Sequence, residues 1–334
     1  MANFEKETQK SQTEATEGLL TVEGIDMDNF DGELSYILKG MLTTGGQATQ
    51  VALARNLLSE ILKLRESTSE NERPIVYLGY TSNMISSGLR EIFCYMCKHK
   101  FVDVVVTTGG GVEEDFIKCS AKTYVNYEYT VNDRQWRVEG KNRIGNMIMP
   151  NDNYVEFEEW FSQSYDIMVK EQKVNKRIFG PSDMIKFLGE RINNPESIYG
   201  WCAKNNIDVF SPGVTDGSLG DILYCKGFSD DNFILDVNRD LQKIMNIGYK
   251  KNRPLFAFII GGGIVKYHIL NACKIAGGLD SGIFISVGNE FDNSCSGAKP
   301  EQDMARKAIK TGAKIVNLNY DASIVVPLIV ANIK

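Results

Sequence analysis

The sequence predicts a doubly wound α/β protein with a mostly parallel sheet, in one large domain with an N-terminal helical extension. Three observations carry this. First, two short apolar runs, 102–106 and 255–260, each lead into three consecutive glycines, Gly109-Gly110-Gly111 and Gly261-Gly262-Gly263. Buried parallel strands read as such runs, rich in β-branched and aromatic residues and followed by helix-like sequence. Second, strand–loop–helix units recur along the chain, which is the pattern of a parallel sheet covered on both faces. Third, the 334 residues are 43% hydrophobic, and no Gly/Ser/Pro linker divides them. That suffices for a large core in a Rossmann-like arrangement. Nucleotides bind at the carboxyl edge of such sheets, where glycine lets the backbone approach a ligand. A glycine-rich turn also arises simply as a tight connection, so the glycines alone leave both meanings open.

The elements follow in order. Residues 1–18 are polar and charged, with no apolar signal-peptide region, and are expected to be disordered. Residues 19–70 form a helical region: Asp31 to Leu64 has helical apolar spacing broken at Thr43-Thr44-Gly45-Gly46, which gives two helices. Residues 71–334 form the α/β domain. Its first strand is Ile75–Gly79, and Thr81-Ser82-Asn83 is a turn and N-cap into a helix near 84–100. Strand 102–107, the first glycine loop and a helix near 112–119 come next. Residues 123–160 are polar, with Trp136 and a hairpin. Helices follow at Ser182–Ile192 and Ser197–Lys204, then strand Ile207–Phe210. Strand 255–260, helix Ile264–Ala276, strand Gly282–Val287, a helix near 300–311 and strand Lys314–Asn319 complete the alternation.

Bulk properties narrow the partners. The net charge of −6, with no extended basic segment, argues against nucleic acid and suits a cationic ligand. The seven cysteines show no disulfide framework. Cys94 and Cys97 form a CxxC on an amphipathic helix, but the chain has no second pair and only His99 and His268. Buried reduced thiols explain the pair better than a metal site, and they point to the cytoplasm. The apolar stretch 322–333 is too short to span a bilayer and is interrupted by Pro327, so no membrane partner is expected.

Polar residues gather where strands end. Ser82, Asn83 and Ser86 follow the first strand and suit a diphosphate at a helix N-terminus. Glu113, Glu114 and Asp115 follow the first glycines, where acids also simply favour the helix dipole. Asp216 and Asp221 flank two glycines after another strand, and Asp321-Ala322-Ser323 repeats the strand–acid–helix pattern. Asp216 is equally well read as an N-cap. Together such acids suit a cation or ribose hydroxyls rather than a naked phosphate.

These segments, taken in order, closely resemble deoxyhypusine synthase over nearly the whole chain. The matching stretches are Leu78 to Gly88, Val106 to Lys118, Arg143 to Asn146, Asn193 to Ser197, Phe210 to Asp221, Gly261 to Lys266 and Tyr320 to Ser323. The resemblance implies an NAD-dependent tetramer with each site shared between two subunits. That enzyme oxidises spermidine at its secondary amine. It carries the aminobutyl group on an active-site lysine as an imine, passes it to a lysine of the translation factor 5A precursor, and reduces the product. The resemblance assigns NAD contacts to Ser82, Asn83, Met84, Ile85, Ser86, Thr108, Gly109, Gly110, Glu114, Asp216, Val287, Gly288, Asp321 and Ala322. It assigns substrate contacts to Glu113, Glu114, Asp221 and Gly262, and no metal.

The match fails on one face of the site. Aligned without gaps between Ser296-Gly297-Ala298 and Asp321-Ala322-Ser323, the family lysine is Ala308, and the tryptophan two residues earlier is Arg306. A family glutamate is Gln302, an aspartate is Cys295 and the active-site histidine is Tyr267, while His268 matches a second histidine. Alanine forms no imine, and tyrosine, with a pKa of about 10, is a poor base near neutrality. The chain is therefore expected to be a non-catalytic, regulatory subunit that completes the site of a lysine-bearing catalytic paralogue. Two alternatives remain: an autonomous enzyme with Lys307 or Lys310 as a displaced nucleophile, and a non-enzymatic NAD or polyamine binder. On a helix, Lys307 would be turned roughly 100° from position 308.

Overall fold

The computed structural model describes residues 18–229, 233–251 and 253–333; most of the expected disordered tail, 1–17, lies outside them. Two compact units emerge, one ending at Leu53 and one starting at Ala54. The first contains helix α1 (Leu34–Thr44) and the start of α2 (Gly46–Ser67). The two helices meet at Gly45, whose amide donates to the Thr49 hydroxyl at 3.0 Å.

The second unit is the α/β domain. Its strands β1 (Ile75–Tyr80), β2 (Val104–Val106), β6 (Asp208–Phe210), β7 (Leu255–Ile260), β8 (Leu279–Ile285) and β9 (Ile309–Leu318) form one sheet in the order β6-β2-β1-β7-β8-β9. Every pairing is parallel, as expected. Each residue of β1 and β7 is buried, because helices cover both faces and leave no polar side to the strand. Strand order reverses between β1 and β7. Tyr80 pairs with Ile260, so the chain leaves both strands side by side at Thr81 and Gly261. Such a switch point opens a crevice at the carboxyl edge of the sheet.

Several elements differ from expectation. The helix near 84–100 is two helices, α3 (Ser82–Ser86) and α4 (Leu89–Lys98), separated at Ser87-Gly88. The Lys118 ammonium donates to the carbonyls of Ile85, Ser86 and Ser87 at 2.8, 2.7 and 3.1 Å. A continuous helix would have paired those carbonyls with its own amides. The helix expected at 112–119 starts earlier: α5 (Gly109–Ser120) includes all three glycines, with Thr108 as N-cap. The second triplet differs, since Gly261 and Gly263 take φ of +93° and +58° and only Gly263 opens α12 (Gly263–Ile275).

The hairpin is β4 (Lys141–Ile144) with β5 (Met147–Pro150), joined by β3 (Tyr124–Val125) on β5, with α6 (Asp133–Val138) between β3 and β4. Helix α7 (Asn151–Asn175) follows and was not expected. α8 (Pro181–Arg191) and α9 (Ile198–Asn205) lie where helices were predicted, whereas α10 (Ser218–Gly227) and α11 (Val237–Lys251) are additional. The helix near 300–311 is only α13 (Pro300–Ala305), followed by Lys307 at φ +61°. The 100° helical offset therefore does not apply at Lys307. β9 begins five residues early because a bulge opposite Leu279–Ser281 takes up the extra chain. α14 (Ala322–Val330) closes the described fold. All seven cysteines are free, and Cys94 and Cys97 are buried together on α4.

Candidate functional site

The crevice at the switch point is a cavity of about 560 Å³ at the carboxyl ends of β1, β7, β8 and β9. It brings together Asn83, Met84, Gly262, Val287, Gly288, Asp321 and Ala322 of the expected site residues, along with Thr81, Ser286 and Ser294. Asp321 caps α14 through one oxygen, which accepts from the Ser323 amide at 2.7 Å and its hydroxyl at 2.5 Å. Its other oxygen makes no hydrogen bond within the described residues, so it can accept a pair of ligand hydroxyls. Gly262 is shaped by protein rather than by open space. A Cβ there would lie 1.9 Å from the Ser296 Oγ, so the loop returning from β8 packs directly on the backbone.

A second cluster sits at the ends of β2 and β6. The Asp216 Oδ1 accepts from the Gly110 amide at 3.1 Å. A Cβ on Gly109 would lie 2.5 Å from the Val214 carbonyl, so only glycine admits this close packing. A Cβ on Gly110 would lie 3.0 Å from that of Ser82, which ties α3 to the start of α5. Ile85 is fully buried. Thr108 accepts from the Gly111 amide at 3.4 Å.

The two neighbouring glutamates have different fates. Glu113 is buried and accepts from the Ser218 and Leu219 amides at 3.0 and 2.5 Å, so it holds the N-terminus of α10. Burial raises its pKa against those two bonds. This structural duty leaves little of Glu113 for a substrate. Glu114 is also buried, and burial raises its pKa to about 7, opposed by a hydrogen bond donated by the Ser86 hydroxyl. Asp221, exposed in the first turn of α10, makes no hydrogen bond or ion pair among the described residues and is open to a cation. Tyr154 on α7 is a residue that the sequence reading missed. Burial first, then the charges of Glu114 and Glu113, push its pKa up to about 12.

A pH test follows from Glu114. The fold holds its proton more tightly than the unfolded chain, whose carboxyl titrates near 4.5. The stability from this group is complete below about pH 4.5 and is lost as pH rises through about 7. Melting curves of wild type and Glu114→Gln should converge in acid and separate above pH 7, with the variant melting higher. A lower-melting variant above pH 7 would show that the fold requires the carboxylate.

The departures from the family pattern cluster elsewhere and touch one another. The Arg306 guanidinium lies over the Tyr267 ring at 4.7 Å and ion-pairs with the buried Asp303. Asp303 also pairs with the buried Lys266 at 3.3 Å, and Lys266 donates to the carbonyls of Cys295 and Ala298, each at 3.1 Å. Ala308 is 1% exposed, inside an apolar cluster with Val265, Ile269, Cys273 and Leu279. Its carbonyl accepts from the Leu279 amide at 2.9 Å, at the amino end of β8. None of Tyr267, Cys295, Gln302, Arg306 and Ala308 lines the carboxyl-edge cavity. His268 is partly buried near Phe210, and desolvation lowers its pKa.

A family model for deoxyhypusine synthase matches residues 36–333. A Dictyostelium discoideum protein named "Probable deoxyhypusine synthase" is 42% identical over 323 residues, covering 93% of this chain and 85% of that one. A Senecio vulgaris protein named "Homospermidine synthase" is 40% identical over 338 residues, covering 96% and 91%. A crystal structure assigned to deoxyhypusine synthase from Entamoeba histolytica superposes with a TM-score of 0.64 at 26% identity, over 93% of this chain and 95% of that one. Among the described residues no helix is long and apolar enough to cross a membrane. With its fold, its carboxyl-edge site and relatives at this identity over nearly its whole length, the chain belongs to the deoxyhypusine synthase family.

Proposed function

We propose that this chain is a non-catalytic deoxyhypusine synthase subunit that completes the active site of a lysine-bearing paralogue, in a cytoplasmic hetero-oligomer, with a tetramer the expected form. The observation that carries the reading is the contrast between the two faces. One offers the buried Glu114 and, unpaired among the described residues, the exposed carboxylate of Asp221, in the same chain as a carboxyl-edge cavity of about 560 Å³. The other has Ala308 at the family's lysine position and a closed Tyr267–Arg306–Asp303–Lys266 network. An alanine methyl in an apolar cluster has no chemistry to offer an imine.

NAD fits the cavity. Its place at the switch point suits a dinucleotide, the Asp321 carboxylate suits ribose hydroxyls, and Asn83, Ser286 and Ser294 are polar partners for the phosphates. NAD, when bound, supplies the hydride acceptor for spermidine oxidation. The chain's own residues hold the reactants: Asp221 and Glu114 pair with the polyamine's cationic nitrogens, and Asp216 fixes the glycine turn through Gly110. The acceptor on this reading is a lysine of the translation factor 5A precursor.

The displaced-lysine alternative has weaker support. Lys310 is already paired with Asp280 at 2.6 Å, and Asp280 in turn accepts from the Leu255 amide. Lys307 is exposed, at φ +61° just beyond α13. The purified chain, given NAD, spermidine and the factor 5A precursor, should transfer no measurable aminobutyl group. Calorimetry should still detect NAD. Robust turnover by a pure homo-oligomer would refute the proposal, and NAD binding without any effect on a lysine-bearing paralogue would leave a non-enzymatic binder.

A further inference from the structure

A second cavity, of about 570 Å³, opens at the amino edge of the same sheet, opposite the proposed cofactor site. The starts of β2 and β6, helix α11 and the turn before β7 surround it. Its lining has four cationic side chains, Arg73, Lys100, Lys243 and Arg253, against three carboxylates, in a chain whose net charge is −6.

The carboxylates are mostly committed. Asp103 pairs with Arg65 at 2.5 Å and accepts from the Val76 amide at 2.9 Å. Asp208 pairs with Lys243 at 2.7 Å. The closest carboxylates to Arg73 are Glu70 and Asp103, at 3.8 and 3.9 Å, too long for hydrogen bonds. Among the described residues Arg253 and Lys100 have no carboxylate within 4.0 Å. The Arg253 Nε donates to the Arg73 carbonyl at 2.6 Å, which holds the two arginines together. Among the described residues the Arg73 Nε and the Arg253 Nη2 are buried without any hydrogen-bond partner.

Buried unpaired guanidinium N–H groups beside one another are costly, first through desolvation and then through repulsion. Burial lowers the Arg253 pKa, opposed by the charge of Asp103 and reinforced by those of Arg73 and Arg65. We propose that this amino-edge cavity binds a phosphate-type oxyanion, held between Arg73 and Arg253 with Lys100 as a third cation. Two planar forks and an ammonium call for acceptor oxygens on several sides. A tetrahedral oxyanion has them, whereas a carboxylate has two in one plane.

The test is calorimetry on the full chain, with NAD saturating so that the other cavity is occupied, and with ionic strength matched by sodium chloride. Inorganic phosphate and ribose 5-phosphate are the probes, and their relative affinities separate a free-ion site from a phosphoester site. Saturable binding is expected, weakened about tenfold or more by Arg253→Gln or Arg73→Gln, since each removes a charge-assisted contact of the stronger kind. Lys100→Gln, at an exposed position, should weaken binding about threefold and leave the melting temperature unchanged. In anion-free buffer the arginine variants should melt no lower than wild type. No saturable heat beyond chloride, wild-type affinity in all three variants, or arginine variants that melt far lower without anion would each overturn the proposal.

Discussion

A lysine introduced at position 308 is expected to destabilise the chain and to leave aminobutyl transfer undetectable. Ala308 is buried among Val265, Ile269, Cys273 and Leu279, and its amide and carbonyl are held by Asp303 and Leu279. The added side chain would overpack this cluster, at a cost of about 1–3 kcal/mol, before any penalty for burying its ammonium. In a domain of this size that corresponds to a fall in melting temperature of roughly 1–5 °C. Activity should stay absent because Tyr267, stacked under Arg306, still stands where the family has its histidine. Thermal melts and transfer assays on Ala308→Lys check both parts. Near-family rates from this single change would show that the neighbouring substitutions matter little.

Asp221→Ala should sharply reduce the stimulation of a lysine-bearing paralogue while leaving the mixed complex assembled. Asp221 is exposed and unpaired among the described residues, so its removal exposes no buried partner and should cost little stability. Loss of one direct carboxylate–cation contact in the site should lower the stimulated rate by about tenfold to a hundredfold. Glu113→Ala should behave differently. It frees the Ser218 and Leu219 amides at the start of α10, so the melting temperature as well as the rate should fall. Sedimentation and turnover on the same mixtures separate the two cases. Full stimulation by an assembled Asp221→Ala complex would mean that this subunit acts from a distance.

Much of this was legible in the sequence because the relevant signals are local. The runs at β1 and β7, uncharged and unbroken, mark strands buried on both faces, and the residues just beyond them are where the cavity opens. Other features depend on partners distant in sequence. Nothing near Ser87 announces that Lys118 will cap α3 and split the expected helix. Glu113 and Glu114 are adjacent and chemically alike, yet one is spent on α10 and the other keeps a proton to about pH 7. Helix α7 did carry a signal. Phe157, Phe161, Tyr165 and Met168 are buried at helical spacing, but they lie among many polar residues. Missing that helix meant missing Tyr154. The shortness of α13 was not visible either, because Lys307 leaves the helical region at φ +61° although lysine is a good helix former.

On the proposed reading, a working site combines the lysine of a partner with the Glu114–Asp221 face of this chain. Complementation tests it most directly. The partner is a lysine-bearing paralogue whose own counterparts of Glu114 and Asp221 have been replaced by alanine, so that it is inactive alone. On the proposed reading this chain is inactive alone for the opposite reason, the alanine at its lysine position. Mixed, the two should form one complex and regain spermidine-dependent aminobutyl transfer, in proportion to the amount of complex seen in sedimentation. A complex that forms and stays inactive would contradict the shared-site account.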